Sequence, residues 1–394
     1  MRCVQSYNFK NKKALIRVDF NVPLDDRGVV VDDRRIQGAI PTIRQVLAQG
    51  GAVVLLSHLG RPQKGYEKRF SLQQLVAPLR QALGTPVSFA PSCVGADTQA
   101  QVQQLAPGAV LLLENVRFQP GETQGDPSLA RALAAWGDVY INDAFGTAHR
   151  AHASTAVLPQ YFRDKFIGYL MQEELRSADK ILQGAKHPLI AIIGGAKISD
   201  KIKPLQRLLD QVDTILLGGG VANTFQKALG GQVGASLVEH DQIACAQQLA
   251  HQAQQKDVRL VLPTDVVAAP CLKAEAEQQV VAGGAVPAGW LALDIGPQTQ
   301  RAFVAIVQAA QTMLWCGPIG MFEMTGFQQG TQAVAAAVVQ ATRQGAFSLI
   351  GGGDSAAAIK SCGYADQVSH LSTGGGALLA YLGGAPLPGV QALA

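Results

Sequence analysis

Two sets of residues in this chain have types and spacing that could do chemistry together. In the first half, Asp19 and Asn21, His58 and Arg61, Arg117, and His149, Arg150 and His152 each follow a strand-like apolar run, and Arg34 and Arg35 add to them. In the second half the apolar runs end in glycine instead: Ile192-Ile193-Gly194-Gly195-Ala196-Lys197, Leu216-Leu217-Gly218-Gly219-Gly220, Leu349-Ile350-Gly351-Gly352-Gly353-Asp354 and Leu371-Ser372-Thr373-Gly374-Gly375-Gly376. Glycine there lets bare backbone N–H groups approach a ligand, and a helix start adds partial positive charge. Arginine forks match phosphate and carboxylate geometry. One set suits a small, doubly anionic molecule with hydroxyls, and the other a multi-phosphate ligand.

Each residue alone has a blander reading. Asp19 and Asn21 could be turn formers ahead of Pro23. A lone His or Arg after a strand is more often a cap or surface group than a ligand. Lys197 and Lys201, four apart at a helix start, share a face and could be a solvated pair. Asp354 could be an N-cap, or a Mg²⁺ ligand, since phosphates supply the remaining oxygens. Collected on one rim of a sheet, the cations of the first half are poorly explained as caps.

The elements that must position them alternate. Ala14–Val18, Ala52–Ser57, Val110–Leu113 and Val139–Asn142 read as strands, apolar without alternation, as in a parallel sheet covered on both faces. Helix candidates between them include 36–49 and 71–83, with Ser71 as N-cap and Gly84 as stop. The second half repeats the pattern, with strands at 189–193, 214–217, 259–262, 312–315, 347–350 and 368–371. Its helices are expected at 199–209, 241–255, 327–343 and 354–361. This grammar predicts an α/β chain of two doubly wound, parallel-sheet, Rossmann-like domains. The boundaries are 1–168 for the first domain, 169–188 for a linker helix and 189–377 for the second. In such sheets ligands bind beyond the C-terminal strand ends.

Composition narrows the class. The 394 residues exceed one ordinary core, and 48% are hydrophobic against 16% charged. No apolar run approaches the roughly 20 residues of a membrane span. Residues 1–13 hold no apolar signal core, which predicts a cytoplasmic protein. The six cysteines stand singly, without a CxxC pair, so free thiols are expected rather than disulfides or zinc. Residues 1–168 carry 19 Lys+Arg against 13 Asp+Glu, consistent with an anion received there. Basic runs and stacking aromatics for nucleic acid are lacking. So is the GxxxxGK[ST] of a P-loop. Residues 351–356 fit a loose GxGxxA fingerprint but lack the acidic residue about twenty positions on that would hold ribose.

The motifs carry a specific resemblance. Arg17 to Pro23, Ser57 to Pro62, Leu113 to Arg117, Asn142 to His152, Gly194 to Lys197, Gly351 to Asp354 and Ser372 to Ala377 resemble phosphoglycerate kinase, in order, from about residue 10 to Val390. The resemblance implies a cytoplasmic, monomeric, glycolytic phosphotransferase with a hinge and a cleft. It would move a phosphoryl group reversibly between 1,3-bisphosphoglycerate and ADP, directly and in line after domain closure, giving 3-phosphoglycerate and ATP. Carried over by position, Asp19, Asn21, Arg35, His58, Arg61, Arg117 and Arg150 would bind the phosphoglycerate. Gly195, Lys197, Lys201, Gly218, Gly219, Gly220, Leu293, Glu323, Gly353, Asp354 and Ser355 would surround the nucleotide, with Asp354 on Mg²⁺ and Glu323 on the ribose. Arg35, Lys197, Lys201, Gly352 and Gly375 would serve the transferring group. The segment 378–394 would return to the first domain. No nucleic-acid or membrane partner is implied.

Two positions depart from the family pattern. Cys316 stands where the family usually has Asn, replacing an amide near the nucleotide phosphates by a poor hydrogen-bonding group. Ser355 replaces the usual Thr and keeps the hydroxyl. Two rival functions are an NAD-dependent dehydrogenase of doubly wound fold, which the missing ribose acid disfavours, and a non-catalytic phosphometabolite sensor, for which only Cys316 speaks.

Overall fold

The structure, a computed structural model, describes residues 1–63 and 65–394. The chain divides into two units, Met1–Leu175 with Pro386–Ala394, and Arg176–Ala385. Both are α/β.

The first unit contains β1 (Lys13–Val18), α1 (Arg34–Ala48), β2 (Ala52–Leu56), α2 (Val76–Leu83), β3 (Val87–Ala90), α3 (Ala96–Gln103), β4 (Val110–Leu113), α4 (Pro127–Ala134), β5 (Val139–Asp143) and β6 (Lys165–Ile167). The strands form one sheet in the order β3-β4-β2-β1-β5-β6, and every pairing is parallel. Strands β2, β4 and β5 are buried along their whole length, which is why their sequences are apolar without alternation. β3 and β6 were not expected from the sequence; both lie at sheet edges and are short. The helix expected over 71–83 is shorter. Ser71 does cap, accepting the Gln73 N–H, but it opens a 3₁₀ turn, and α2 starts only at Val76 and stops at Gly84.

The helix α5 (Tyr169–Leu182) leaves the first unit at Leu175 and continues into the second. The linker helix expected over 169–188 ends at Leu182, and the division between the units falls within it.

The second unit contains β7 (Leu189–Ile193), α6 (Ile202–Leu208), β8 (Thr214–Leu217), α7 (Gly219–Ala228), β9 (Gln232–Val233), α8 (Ile243–Gln255), β10 (Arg259–Val261), β11 (Asp265–Ala269), β12 (Gln279–Ala282), β13 (Ala285–Val286), β14 (Leu291–Ile295), α9 (Pro297–Gln308), β15 (Thr312–Cys316), α10 (Gln329–Arg343), β16 (Phe347–Gly351), α11 (Gly353–Ser361), β17 (His370–Leu371) and α12 (Gly376–Leu382). Its main sheet runs β10-β8-β7-β15-β16-β17. A small sheet, β12-β11-β14, is antiparallel. The alternating pattern of the sequence did not reveal it, because β12 is largely exposed and the β11–β14 register shifts between Val267 and Ala268.

The expected return segment, 378–394, begins later. Leu378 and Leu382 are buried in the second unit, and Gly383 abuts Lys203 and Pro204 of α6. Only from Pro386 does the chain rejoin the first unit, ending in α13 (Pro388–Gln391). There Asn142 Nδ2 donates to the Gly389 carbonyl at 3.1 Å, and the Gly389 N–H donates to Ala148 O at 2.9 Å.

Candidate active site

The sheet order of the first unit puts β4, β2, β1 and β5 side by side. Their C-terminal ends therefore bring Arg117, His58 and Arg61, Asp19 and Asn21, and Arg150 to one rim. Arg35 joins them from the first turn of α1, its Nη1 2.5 Å from Asp19 Oδ2. The neighbouring Arg34 is held by Asp32, also at 2.5 Å.

Asp19 is buried and accepts the Asn21 N–H at 3.2 Å. Burial alone would raise its carboxyl, but Arg35, Arg17 and the Asn21 N–H outweigh that and hold it at about 2. Burial and Arg17, acting against Asp19, push the His58 imidazole well below its ordinary range. Arg17 Nη2 lies 3.3 Å from His58 Nδ1. A guanidinium only donates, so Nδ1 accepts and the ring proton sits on Nε2, where it can donate to a ligand.

Arg117 and Arg150 are less compensated. Burial first, then Arg150 and Arg17, lower Arg117 to about 10, so it stays charged at neutral pH. Burial, then Arg117, Arg17 and Arg150, lower His152 to about 4. Three arginines thus face one another while the imidazoles around them stay neutral. Arg61, Arg117, Arg150 and His152 line a cleft of about 640 Å³. Such a field is relieved by an anion.

The loop carrying His58 and Arg61 is tied through both backbone groups of Gly60. The Gly60 N–H donates to Asn21 Oδ1 at 2.7 Å, and Arg117 Nη1 donates to Gly60 O at 2.5 Å. Behind the rim, Arg17 Nε donates to Ser154 Oγ at 2.8 Å, and Ser154 Oγ donates to the buried Glu122 at 2.6 Å. Arg17 was not among the expected site residues. Its signal was a charge inside an otherwise apolar strand.

In the second unit the structure separates the glycines. A Cβ at Gly194 would sit 2.0 Å from Pro318 O, at Gly218 2.8 Å from Ile319, at Gly219 2.9 Å from Gly195 O, and at Gly220 2.4 Å from Ala196 O. Gly194, Gly219 and Gly220 are needed because backbone packs on backbone, and Gly218 because Ile319 packs on it; Gly195 has no such close neighbour. Around Gly353 and Gly375 there is open space, and Gly352 meets only Ser355 Oγ, at 3.5 Å. Gly352 (φ 93°) and Gly375 (φ 48°) precede α11 and α12 in conformations that favour glycine. Open space therefore lies beside 353 and 375, while 218–220 packs against Gly195, Ala196 and Ile319.

Four further expectations change. Lys197 and Lys201 do not share a helix face: Lys197 precedes the first turn, and Lys201 Nζ folds back to donate to Lys197 O at 3.0 Å. Asp354 does not cap; it lies exposed in the first turn of α11. Ser355 is buried, its hydroxyl already donating to Gly351 O and accepting the Gly317 N–H, so it is not presented to a ligand. Cys316 is buried too, and burial pushes its thiol up to about 12 against the opposing pull of Lys201 and the Gly351 N–H. Leu293 is buried in β14, while Glu323 is exposed on the loop after β15. Among the described residues no cluster of three His, Cys, Asp or Glu could hold a metal alone. The uncapped Asp354 beside open glycines fits an ion that arrives with phosphate ligands.

The family profile described as "Phosphoglycerate kinase" matches residues 4–385. The chain belongs to the phosphoglycerate kinase family. A phosphoglycerate kinase of Moorella thermoacetica is 49% identical over 390 residues, 99% of this chain and 98% of that protein. A cytosolic phosphoglycerate kinase of Triticum aestivum is 48% identical over 98% of this chain and 96% of its own length. The solved phosphoglycerate kinase of Coxiella burnetii superposes with a TM-score of 0.88 at 40% identity, covering 99% of this chain and 97% of that one. This kinase fold carries the reversible, glycolytic transfer of a phosphoryl group between 1,3-bisphosphoglycerate and ADP, giving 3-phosphoglycerate and ATP. Membership excludes the dehydrogenase reading. Among the described residues no helix is long and apolar enough to cross a membrane.

Proposed function

We propose that the arginine rim of the first unit binds the phosphoglycerate and that the open glycine turns of the second bind the nucleotide. The observation that supports the first half is the cleft of about 640 Å³ lined by Arg61, Arg117 and Arg150, with no carboxylate among its described lining residues. Arg61, Arg117 and Arg150 take the remote phosphate. Asp19, Asn21 and His58 orient the carboxyl end and hydroxyl, with His58 donating through Nε2. Arg35, held by Asp19, takes charge on the transferring group.

Lys201 leaves the Lys197 carbonyl to meet the phosphates, and the N–H groups at Gly352, Gly353 and Gly375 add to it. Lys197 stands nearby, Gly195 and the packed turn 218–220 support the site from beneath, Leu293 borders the base and Glu323 reaches the ribose. Asp354 holds Mg²⁺ together with the nucleotide phosphates; the ion supplies neutralisation of phosphate charge. The protein acts as a cytoplasmic monomer.

Phosphoryl transfer needs little covalent help from protein. Direct in-line transfer does demand that the two bound substrates meet with water excluded, so the reaction as proposed includes a closure step.

Calorimetry with 3-phosphoglycerate and with Mg²⁺–ADP, each alone, tests the assignment. Arg117→Ala should lose affinity for 3-phosphoglycerate and keep that for Mg²⁺–ADP, and Asp354→Ala should do the reverse. A variant that weakens both ligands equally, or neither, contradicts the division.

A further inference from the structure

The first turn of α5 is held by two residues that the site does not use. The Tyr169 N–H donates to Thr42 Oγ1 at 2.9 Å, and the Met171 N–H donates to Asp143 Oδ1 at 3.0 Å. Burial raises the Asp143 carboxyl to about 7, against the Thr42 hydroxyl and the Met171 and Leu170 N–H groups, which favour the anion. Thr42 and Asp143 are both fully buried. The fit around them is tight. A Cβ at Gly168 would sit 2.2 Å from Asp143 Cγ, and one at Gly38 would sit 3.2 Å from the Leu170 side chain.

The two anchors belong to elements that carry site residues. Thr42 lies on α1, whose first turn holds Arg35. Arg35, Gly38 and Thr42 are spaced i, i+3, i+7, so they lie along one face of that helix. Asp143 ends β5, and the chain beyond it leads to Arg150. Asp143 Oδ2 has no hydrogen-bond partner, although it is buried. A buried carboxyl with an orphaned oxygen is costly. A cap that cannot ionise would serve helix stability with less penalty, so stability alone does not account for the residue.

We propose that Thr42 and Asp143 are positioning residues for phosphoryl transfer. They join the helix that bears Arg35 to the start of the helix that carries the chain into the second unit. Arg35 and that outgoing helix then move as one body. Without the clamp, Arg35 keeps its contact with Asp19 but loses its fixed relation to the path of the chain. The phosphoglycerate would still bind, because Arg61, Arg117 and Arg150 are untouched, while the aligned state would be reached less often. This inference rests on the role proposed above for Arg35.

The test is steady-state kinetics with both substrates varied on Thr42→Val, Thr42→Ser and Arg35→Ala, with amide exchange measured at 169–171. Thr42→Val should lower kcat about tenfold, leave KM for 3-phosphoglycerate within about twofold, and speed exchange of the Tyr169 amide. Thr42→Ser, which keeps the hydroxyl, should restore kcat to within about twofold of the parent. If Thr42→Val proves too unstable to purify, Thr42→Ala, which adds no new methyl, must show the same split. A Thr42→Val protein that exchanges faster at Tyr169 yet keeps its kcat overturns the proposal and leaves the clamp a structural cap. Arg35→Ala separates the two claims. If it too keeps kcat, the role of Arg35 has failed; if it alone loses kcat, only the clamp has.

Discussion

The Ser355 hydroxyl accepts the N–H of Gly317 at 2.6 Å, joining the start of α11 to the turn that follows β15. The same hydroxyl donates to Gly351 O at 2.7 Å, so its one proton is spent inside the protein. Ser355→Ala would leave the Gly317 N–H buried without a partner. The expected loss is about 1–3 kcal/mol of stability, read from urea unfolding. ADP affinity should change far less than stability does. A variant as stable as the parent but crippled in ADP binding would return Ser355 to the ligand.

Arg35 and Lys201 should act mainly in the transition state, and Arg61 in the ground state. Arg35→Ala and Lys201→Ala should each cost roughly 3 kcal/mol of activation free energy, on the order of a hundredfold in kcat, with smaller changes in KM. Arg61→Ala should chiefly raise KM for 3-phosphoglycerate. Lys201 is only partly buried and its one bond here is to an exposed carbonyl, so its loss should not unfold the protein. Near-normal kcat in Lys201→Ala would mean that the ammonium stays on Lys197.

The thiols should sort by burial. Cys93 and Cys316 are buried, and burial raises both, Cys316 to about 12. Thiolate is the nucleophile, so iodoacetamide at pH 8 should spare both in the native protein. Cys3, Cys245, Cys271 and Cys362 are only partly buried and should label first. Peptide mass mapping gives the answer. Rapid labelling of Cys316 would mean that the turn at 316–318 opens.

Asp294 gives a pH dependence of definite sign. Burial raises its carboxyl to about 7, against the Gly330 and Ile295 N–H groups that favour the anion. A raised acid binds its proton more tightly in the folded state. Its contribution is complete below the unfolded value of 3.8 and is lost as pH rises towards 7. Asn cannot ionise. The stability of the parent relative to Asp294→Asn should therefore fall by about 2–3 kcal/mol between pH 5 and 8. Asn loses one of the two backbone bonds, so only the slope is diagnostic. A pH-independent difference would show that Asp294 does not titrate in this range.

The buried central strands were readable because a strand covered on both faces must be apolar throughout, as Ala52–Leu56 and Leu189–Ile193 are. Strands at edges have no such constraint, and Val87–Ala90 passed unnoticed. Arg35 was separable from Arg34 only through family resemblance; the structure adds the reason, since Asp32 holds one and Asp19 the other. Glycines were the least legible. Gly220 and Gly353 look alike in sequence, but one touches backbone and the other faces open space. A missing side chain records that something comes close, not whether it is protein or ligand. Arg17, Ser154 and Glu122 form their chain across more than a hundred positions, a relation that no local pattern encodes.

The last residues of the chain complete the first unit. Gly389 bonds to Asn142 and Ala148, and Ala392 O accepts from Lys165 Nζ at 2.8 Å. Completing the first unit therefore needs residues 386–394, which the chain reaches only after passing through the whole second unit. Asn142 and the turn leading to Arg150 gain these neighbours through contacts of very high sequence separation, the kind that form late in folding. The second unit, continuous from Arg176 to Ala385, has no such wait.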